Sequence, residues 1–203
     1  MRWVALPPPH PAEPFRALRA AWHTLTGDVR VVVVHGLFAA DVAAAELRDA
    51  RDAVEWLRRP DLLSIALLDG PVTGFGWAVA LAADIRVATR RTRFVTRDLV
   101  PGLGVLSRLR AALGYGRALL LATTDTELSA TDAHRFGLID ELVDHRDDAE
   151  RVISRMAEAV LAQSRDRFAK AKASLELPED RRECEVAELA LLEKESVSRG
   201  VAS

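Results

Sequence analysis

The sequence predicts an α/β fold on a parallel sheet, from three features. The runs "VRVVVV" and "LLSIALLD" are too apolar for strands with one wet face, so both faces must be covered. Stretches with helical spacing of apolar residues flank and separate them. A glycine-punctuated segment, "DGPVTGFGWAVALAAD", then leads the second run straight into a helix. Strands alternating with helices call for parallel pairing, because the crossover returns the chain to the same end of the sheet.

In chain order, "RWVAL" reads as a short strand. Prolines at 7 to 9, 11 and 14 then interrupt regular structure, until Phe15, Leu18, Trp22 and Leu25 set a helical period in "FRALRAAWHTL". "VRVVVV" follows as a buried strand closed by "HGLFAAD". "VAAAELRDARDAVEWLRR" is a helix with apolar positions around Ala45, Leu47, Val54 and Leu57, ended by Pro60. "LLSIALLD" is the second apolar strand; the turn bearing Gly70, Gly74 and Gly76 comes next, and Trp77 to Ala83 can wind into a helix packed on most sides. "IRVAT" and "TRFVT" are shorter strands. Past residue 105 the pattern turns helical through "LSRLRAALG", "GRALLLATT" and "SATDAHRFG". Ser129 with Asp132 opens the last of these as a capping box, and Gly137 stops it. "LIDELV" returns as a strand, and from Asp147 two longer amphipathic helices run on, separated near "LELPEDRR".

The 203 residues suffice for one well-buried core. A balance of 28 basic against 30 acidic side chains gives no electrostatic footprint for nucleic acid. No uncharged run approaches the ~20 apolar residues that span a bilayer, and the first residues lack a signal-peptide core, so a cytoplasmic protein without a membrane role is expected. The lone Cys184 excludes an internal disulfide and suits a reducing compartment. The histidines show no metal-ligand spacing, so no metal site is expected.

The glycine turn by itself reads either as a tight connection into a core helix or as backbone arranged to hold negative charge, since a helix start presents unpaired N–H groups and a positive dipole end. Its wider context narrows the choice. "SIALLDGPVTGFGWAVALAADIRVAT", "RFVTRDLVPGLG" and "GYGRALLLATTDTELSATDAHRFGLIDELV", with "VVVVHGLFAADV" as a weaker fourth block, resemble the crotonase superfamily, also called the enoyl-CoA hydratase/isomerase family. The resemblance implies a crotonase-like spiral of parallel strands and helices over residues 1–144 and a C-terminal helical oligomerisation region over 145–203, in a trimmed and divergent member. It also implies a homo-oligomer, a trimer or a dimer of trimers, whose tail helices use Leu161, Phe168, Leu175, Leu189 and Leu192 between subunits.

The same resemblance implies an oxyanion hole for an acyl thioester made of two backbone N–H groups, which fall on Ala40 and Phe75, with Gly74 and Gly76 supporting the turn. The family has three consecutive glycines where Phe75 interrupts the run here. Two-acid hydratases carry a glutamate at the position of Ala78, and the second family carboxylate falls on Asp98. Asp98 is therefore the expected acid-base residue, although it reads also as a loop aspartate capping "LVPGLG". The substrate implied is an acyl-CoA or acyl-carrier-protein thioester, with coenzyme A or pantetheine entering as part of the substrate and no separate cofactor. One carboxylate suits isomerisation, or enolate protonation after decarboxylation, better than hydration. The alternative is a non-catalytic or accessory subunit assisting a partner such as a polyketide-type synthase.

Other residues have plainer readings. Asp84 matches the family's aspartate at the helix end and is expected to orient backbone there. His35 follows an apolar strand near the expected oxyanion loop and reads either as a histidine satisfied at the strand end or, as a secondary candidate, as a donor to substrate, while "RRTR" and Arg97 are candidates for CoA phosphates or for a solvated turn.

Overall fold

The computed structural model describes residues 1–6, 13–36, 38–40, 46–97, 99 and 102–175. Val31–Gly36 (β2) and Leu63–Leu68 (β4), the expected apolar strands, lie inside a five-stranded sheet with Arg2–Leu6 (β1), Ile85–Thr89 (β6) and Glu141–Val143 (β9), in the order β1-β2-β4-β6-β9. Every neighbouring pair is parallel. Their side chains alternate between two apolar layers, as the period of a strand requires. Val32, Val34, Ala66 and Leu68 face a core that includes Leu18 of helix α1 (Glu13–His23), Val54 of α2 (Leu47–Glu55) and Trp77 of α3 (Phe75–Ala82). Val31, Val33, Ile65 and Leu67 face Ala149, Ile153 and Ala157 of α7 (Arg146–Leu161).

A second, four-stranded sheet has the order β3-β5-β7-β8, made of Ala39–Ala40 (β3), Pro71–Gly74 (β5), Arg93–Val95 (β7) and Glu127–Ser129 (β8). Pairing is parallel except between β7 and β8. The chain thus lays one strand in the large sheet and the next in the small one, β2 then β3, β4 then β5, β6 then β7, before each returning helix. That advance is the expected spiral. Three elements depart from the sequence reading: "HGLFAAD" contains strand β3, the glycine turn contains strand β5, and β8 precedes the Ser129 cap. All are too short to show a period of two, and each exists because a neighbouring strand supplies hydrogen-bond partners.

The remaining helices follow the capping signals. Gly114, at φ 75°, separates α4 (Val105–Leu113) from α5 (Tyr115–Thr123). Ser129 Oγ accepts from the Asp132 N–H at 3.1 Å to open α6 (Ala130–Arg135). The first tail helix is shorter than expected. It breaks after Leu161, and α8 (Arg165–Leu175) starts with Ser164 Oγ accepting from the Arg167 N–H at 3.2 Å. The Arg30 guanidinium closes α7 by donating to the carbonyls of Val160, Leu161 and Gln163. The expected break near "LELPEDRR" falls almost wholly outside the described residues, as do Leu189 and Leu192. Among the described residues no helix is long and apolar enough to cross a membrane.

Candidate functional site

The glycine segment joins the two sheets. Leaving β4, the Asp69 carboxylate accepts from Arg91 Nε at 3.0 Å, from Arg91 Nη2 at 2.7 Å and from the Thr89 hydroxyl at 2.7 Å, and the Arg91 bonds above all hold its carboxyl below the usual aspartate range. That pins the entry to the turn. Pro71–Gly74 then runs beside β3, with Ala39 opposite Thr73 and Ala40 opposite Gly74, and the Thr73 N–H donates to the Phe38 carbonyl at 3.0 Å. Gly74 takes φ 46° and turns the chain into α3.

Phe75 is the first residue of α3, so its N–H belongs to the turn that has no acceptor within the helix. It sits one residue beyond the register partner of Ala40. The unusual backbone falls on glycine: among the described residues none other than glycine has a positive φ, so Phe75 bears no such strain. Its ring is buried and meets Phe15 of α1 edge-on, with centroids 6.1 Å apart. Gly76 has a different task. A Cβ there would lie 1.6 Å from the Phe38 carbonyl oxygen, so only glycine lets α3 approach the strand leading into Ala40 this closely. All residues of α3 are buried, Ala78 included, which explains the uncharged stretch. The structure therefore brings the segments of Ala40, Gly74, Phe75 and Gly76 together.

Asp98 lies outside the described residues. The chain on either side of it is firmly held, through residues that sequence reasoning passed over. Trp77 of α3, itself fully buried, donates its indole N–H to the Val95 carbonyl at 2.8 Å. Thr96 Oγ1 lies 2.7 and 2.8 Å from the carbonyls of Thr124 and Thr126, and the Leu99 N–H donates to the Thr96 carbonyl at 3.0 Å. The polar ends of "FVT" and "TTDT" gave no period to read; only pairing across the spiral makes them anchors.

His35 is corrected as a substrate contact. It shares strand parity with Val31 and Val33, so it faces α7, on the opposite side of the sheet from α3. There its Nδ1 lies 3.2 Å from Arg146 Nη2 and its ring meets Trp3 at 5.5 Å. Burial, then the Arg146 charge, lowers its pKa, with Glu150 opposing. Asp84 has the expected fold role: its carboxylate accepts from the Ser64 N–H at 2.8 Å, the Ser64 hydroxyl at 3.0 Å and Lys172 Nζ at 2.7 Å. Arg90, Arg91 and Arg93 pair with Asp144, Asp69 and Glu127, which makes "RRTR" a latch of the turn; Arg97 is exposed.

Residues 18–196 match the profile of the enoyl-CoA hydratase/isomerase family. The Mycobacterium avium protein named "Probable enoyl-CoA hydratase echA17" is 34% identical over 141 residues, covering 68% of this chain and 53% of the relative. "Enoyl-CoA isomerase/hydratase fer4" of Mycosarcoma maydis is 35% identical over 101 residues, covering 47% of this chain and 37% of the relative. The chain thus aligns with about half, or less, of these curated relatives' lengths. Among solved structures, enoyl-CoA hydratase from Bacillus halodurans shares the fold with a TM-score of 0.77 at 19% identity, over 94% of this chain and 90% of that one. A Thermobifida fusca protein of enoyl-CoA hydratase designation, in complex with acetoacetyl-CoA, gives 0.72 at 23% identity, over 90% and 85%. With its spiral of paired strands and a family match over most of its length, the chain belongs to the enoyl-CoA hydratase/isomerase family, the crotonase superfamily.

Proposed function

We propose that the protein is an acyl-thioester enzyme in which the N–H groups of Ala40 and Phe75 donate to the thioester carbonyl oxygen and Asp98 moves one proton. The observation that carries this reading is the register of β3 on β5, which sets Ala40 opposite Gly74 and so next to the N-terminal residue of α3. Charge developing on the thioester oxygen as an enolate forms is stabilised by two aimed donors, each worth about 3 kcal/mol in comparable sites, and by the positive end of the helix dipole. Asp98 takes a proton from one carbon as a carboxylate and gives it back to another, ending as it began. Coenzyme A or a carrier-protein pantetheine is part of the substrate, and the acetoacetyl-CoA bound by the Thermobifida fusca neighbour supports an acyl-CoA.

Ala78 is wholly buried at the position where two-acid hydratases carry a glutamate, which favours isomerisation or decarboxylation over hydration. The same residue, with the buried Phe75 ring, also supports a second reading as a non-catalytic subunit assisting a partner. The exposed Tyr115, Leu119 and Leu120 on α5 support self-association, and we take the assembly to be a homo-oligomer, a trimer or a dimer of trimers, acting in the cytoplasm. Incubation with a panel of enoyl- and malonyl-thioesters, followed by mass spectrometry, tests the reading. A product isomer of unchanged mass but altered chromatographic retention, or loss of carbon dioxide, is expected; gain of water would move the reading to hydration, and a panel unchanged in both mass and retention would favour the non-catalytic one.

A further inference from the structure

The first turn of α3 carries the Phe75 N–H but has no cap of its own. Its N-cap is Gly74, which has no side chain, and no side-chain hydrogen bond closes the helix start. Of the eight residues in "FGWAVALA" only Trp77 bears a polar side-chain atom. Any directional contact that α3 makes through a side chain therefore passes through one indole N–H.

Phe75, Gly76 and Trp77 succeed one another at about 100° around the helix axis, so each meets a different neighbour. The Phe75 ring lies edge-on to Phe15 of α1 at 6.1 Å, and Gly76 passes so close to the Phe38 carbonyl that a Cβ would come within 1.6 Å of its oxygen. These two contacts are apolar or steric, and a helix can slip against them by rotating. The third has a direction. The Trp77 indole N–H donates to the Val95 carbonyl of β7 at 2.8 Å, while its ring packs on Phe94 with centroids 4.8 Å apart. Both rings are wholly buried, so solvent does not replace this bond when it is lost. β7 belongs to the small sheet, with Phe94 opposite Val72 of β5, and on the other side of β5 Ala40 lies opposite Gly74. The indole thus ties the start of α3 to the sheet that carries Ala40.

We propose that Trp77 is a positioning residue for the thioester oxygen: by gripping β7, its indole N–H fixes the rotation of α3 about its axis and with it the aim of the Phe75 N–H. The inference rests on the reading of Ala40 and Phe75 as the oxyanion donors and adds the group that makes them converge. A rotation of ~20° would carry α3 sideways by ~0.8 Å at its Cα radius of ~2.3 Å. Misplacement by about 1 Å costs on the order of 100-fold in a preorganised site. Because Trp77 acts through Phe75, its effect belongs to negative charge on the oxygen, not to ligand binding as a whole.

Acetoacetyl-CoA reports that charge directly, because its enolate and keto forms differ in ultraviolet absorbance. Bound to the parent protein at fixed pH, it should shift toward the enolate. Two full-length variants remove the indole donor: Trp77 replaced site-specifically by benzothienylalanine, which keeps the ring and puts sulfur in place of the N–H, and Trp77→Phe. Either should lower the enolate-to-keto ratio of the bound ligand by ~10-fold or more while affinity for CoA alone is retained. A merely structural Trp77 would weaken CoA and acetoacetyl-CoA together and leave the ratio as it was. An unchanged ratio in a folded variant, or failure of both variants to fold, would overturn the proposal. A ligand that does not shift on the parent would remove the oxyanion reading itself, and this inference with it.

Discussion

Gly76 and Gly116 are both glycines in helices, and their surroundings predict opposite responses to the same substitution. Gly76→Ala would set a methyl group 1.6 Å from a backbone carbonyl, which no side-chain rotation relieves; Gly116, in α5, has nothing within 4 Å. Gly76→Ala should cost about 3 kcal/mol or more, and Gly116→Ala should gain up to about 1 kcal/mol from helix propensity. Thermal unfolding reads both, at roughly 2–4 °C per kcal/mol in a chain of this size. His35 makes a prediction of different kind. Its folded pKa lies below the ordinary 6.5, so the ring takes up a proton more readily when unfolded than in the fold. Its contribution is complete above pH 6.5 and declines as the pH falls through that value toward the lower folded pKa. In His35→Gln the fall in melting temperature between pH 7 and pH 5 should be shallower than in the parent; equal slopes would remove His35 as its source. The sequence marked the glycines as special but could not separate their tasks, because Gly74 answers to its own φ and Gly76 to a carbonyl remote in sequence. Of the two readings of His35 the structure favours the structural one, and the choice was not legible because proximity along the chain says nothing of which face of a strand a residue occupies.

Elements were legible where periodicity or capping is strong. The buried strands β2 and β4, the apolar helix α3 and the Ser129 cap followed from local pattern alone. The small sheet did not: β3 has two residues and β8 three, and their conformation is set by pairing with β5 and β7 rather than by any period of their own. The break between α7 and α8 was signalled weakly by Ser164 and overshadowed by the proline farther on. The cap at Ser129 tests the level at which the sequence worked. Ser129→Ala removes the acceptor for the Asp132 N–H and should cost about 1 kcal/mol. A melting temperature unchanged from the parent would show that β7–β8 pairing alone holds this corner.

At the scale of the molecule, the fold and the family are established, whereas the chemistry rests on where two backbone segments and one carboxylate meet. Residue order in the blocks around Gly74 and Gly137 was enough to point to the family, because the spiral repeats a local strand-turn-helix unit. Assembly was less legible, since an exposed apolar helix face shows that something is uncovered without saying by what it is covered. Light scattering at micromolar concentration should give an oligomer, and Leu120→Asp with Tyr115→Asp on the exposed face of α5 should shift it toward monomer. A monomeric parent protein would contradict the proposed assembly.

The central claim is that Ala40 and Phe75 stabilise an enolate while Asp98 carries its proton, and solvent deuterium reports that step directly. Acyl-thioesters incubated with the protein in D2O should gain deuterium at a carbon adjacent to the carbonyl or conjugated with it. Asp98→Asn, which keeps shape and removes the proton carrier, should slow this by at least ~100-fold while thioester binding persists. Equal exchange rates in the two proteins, or no exchange above the uncatalysed background for any thioester with the parent, would contradict the account.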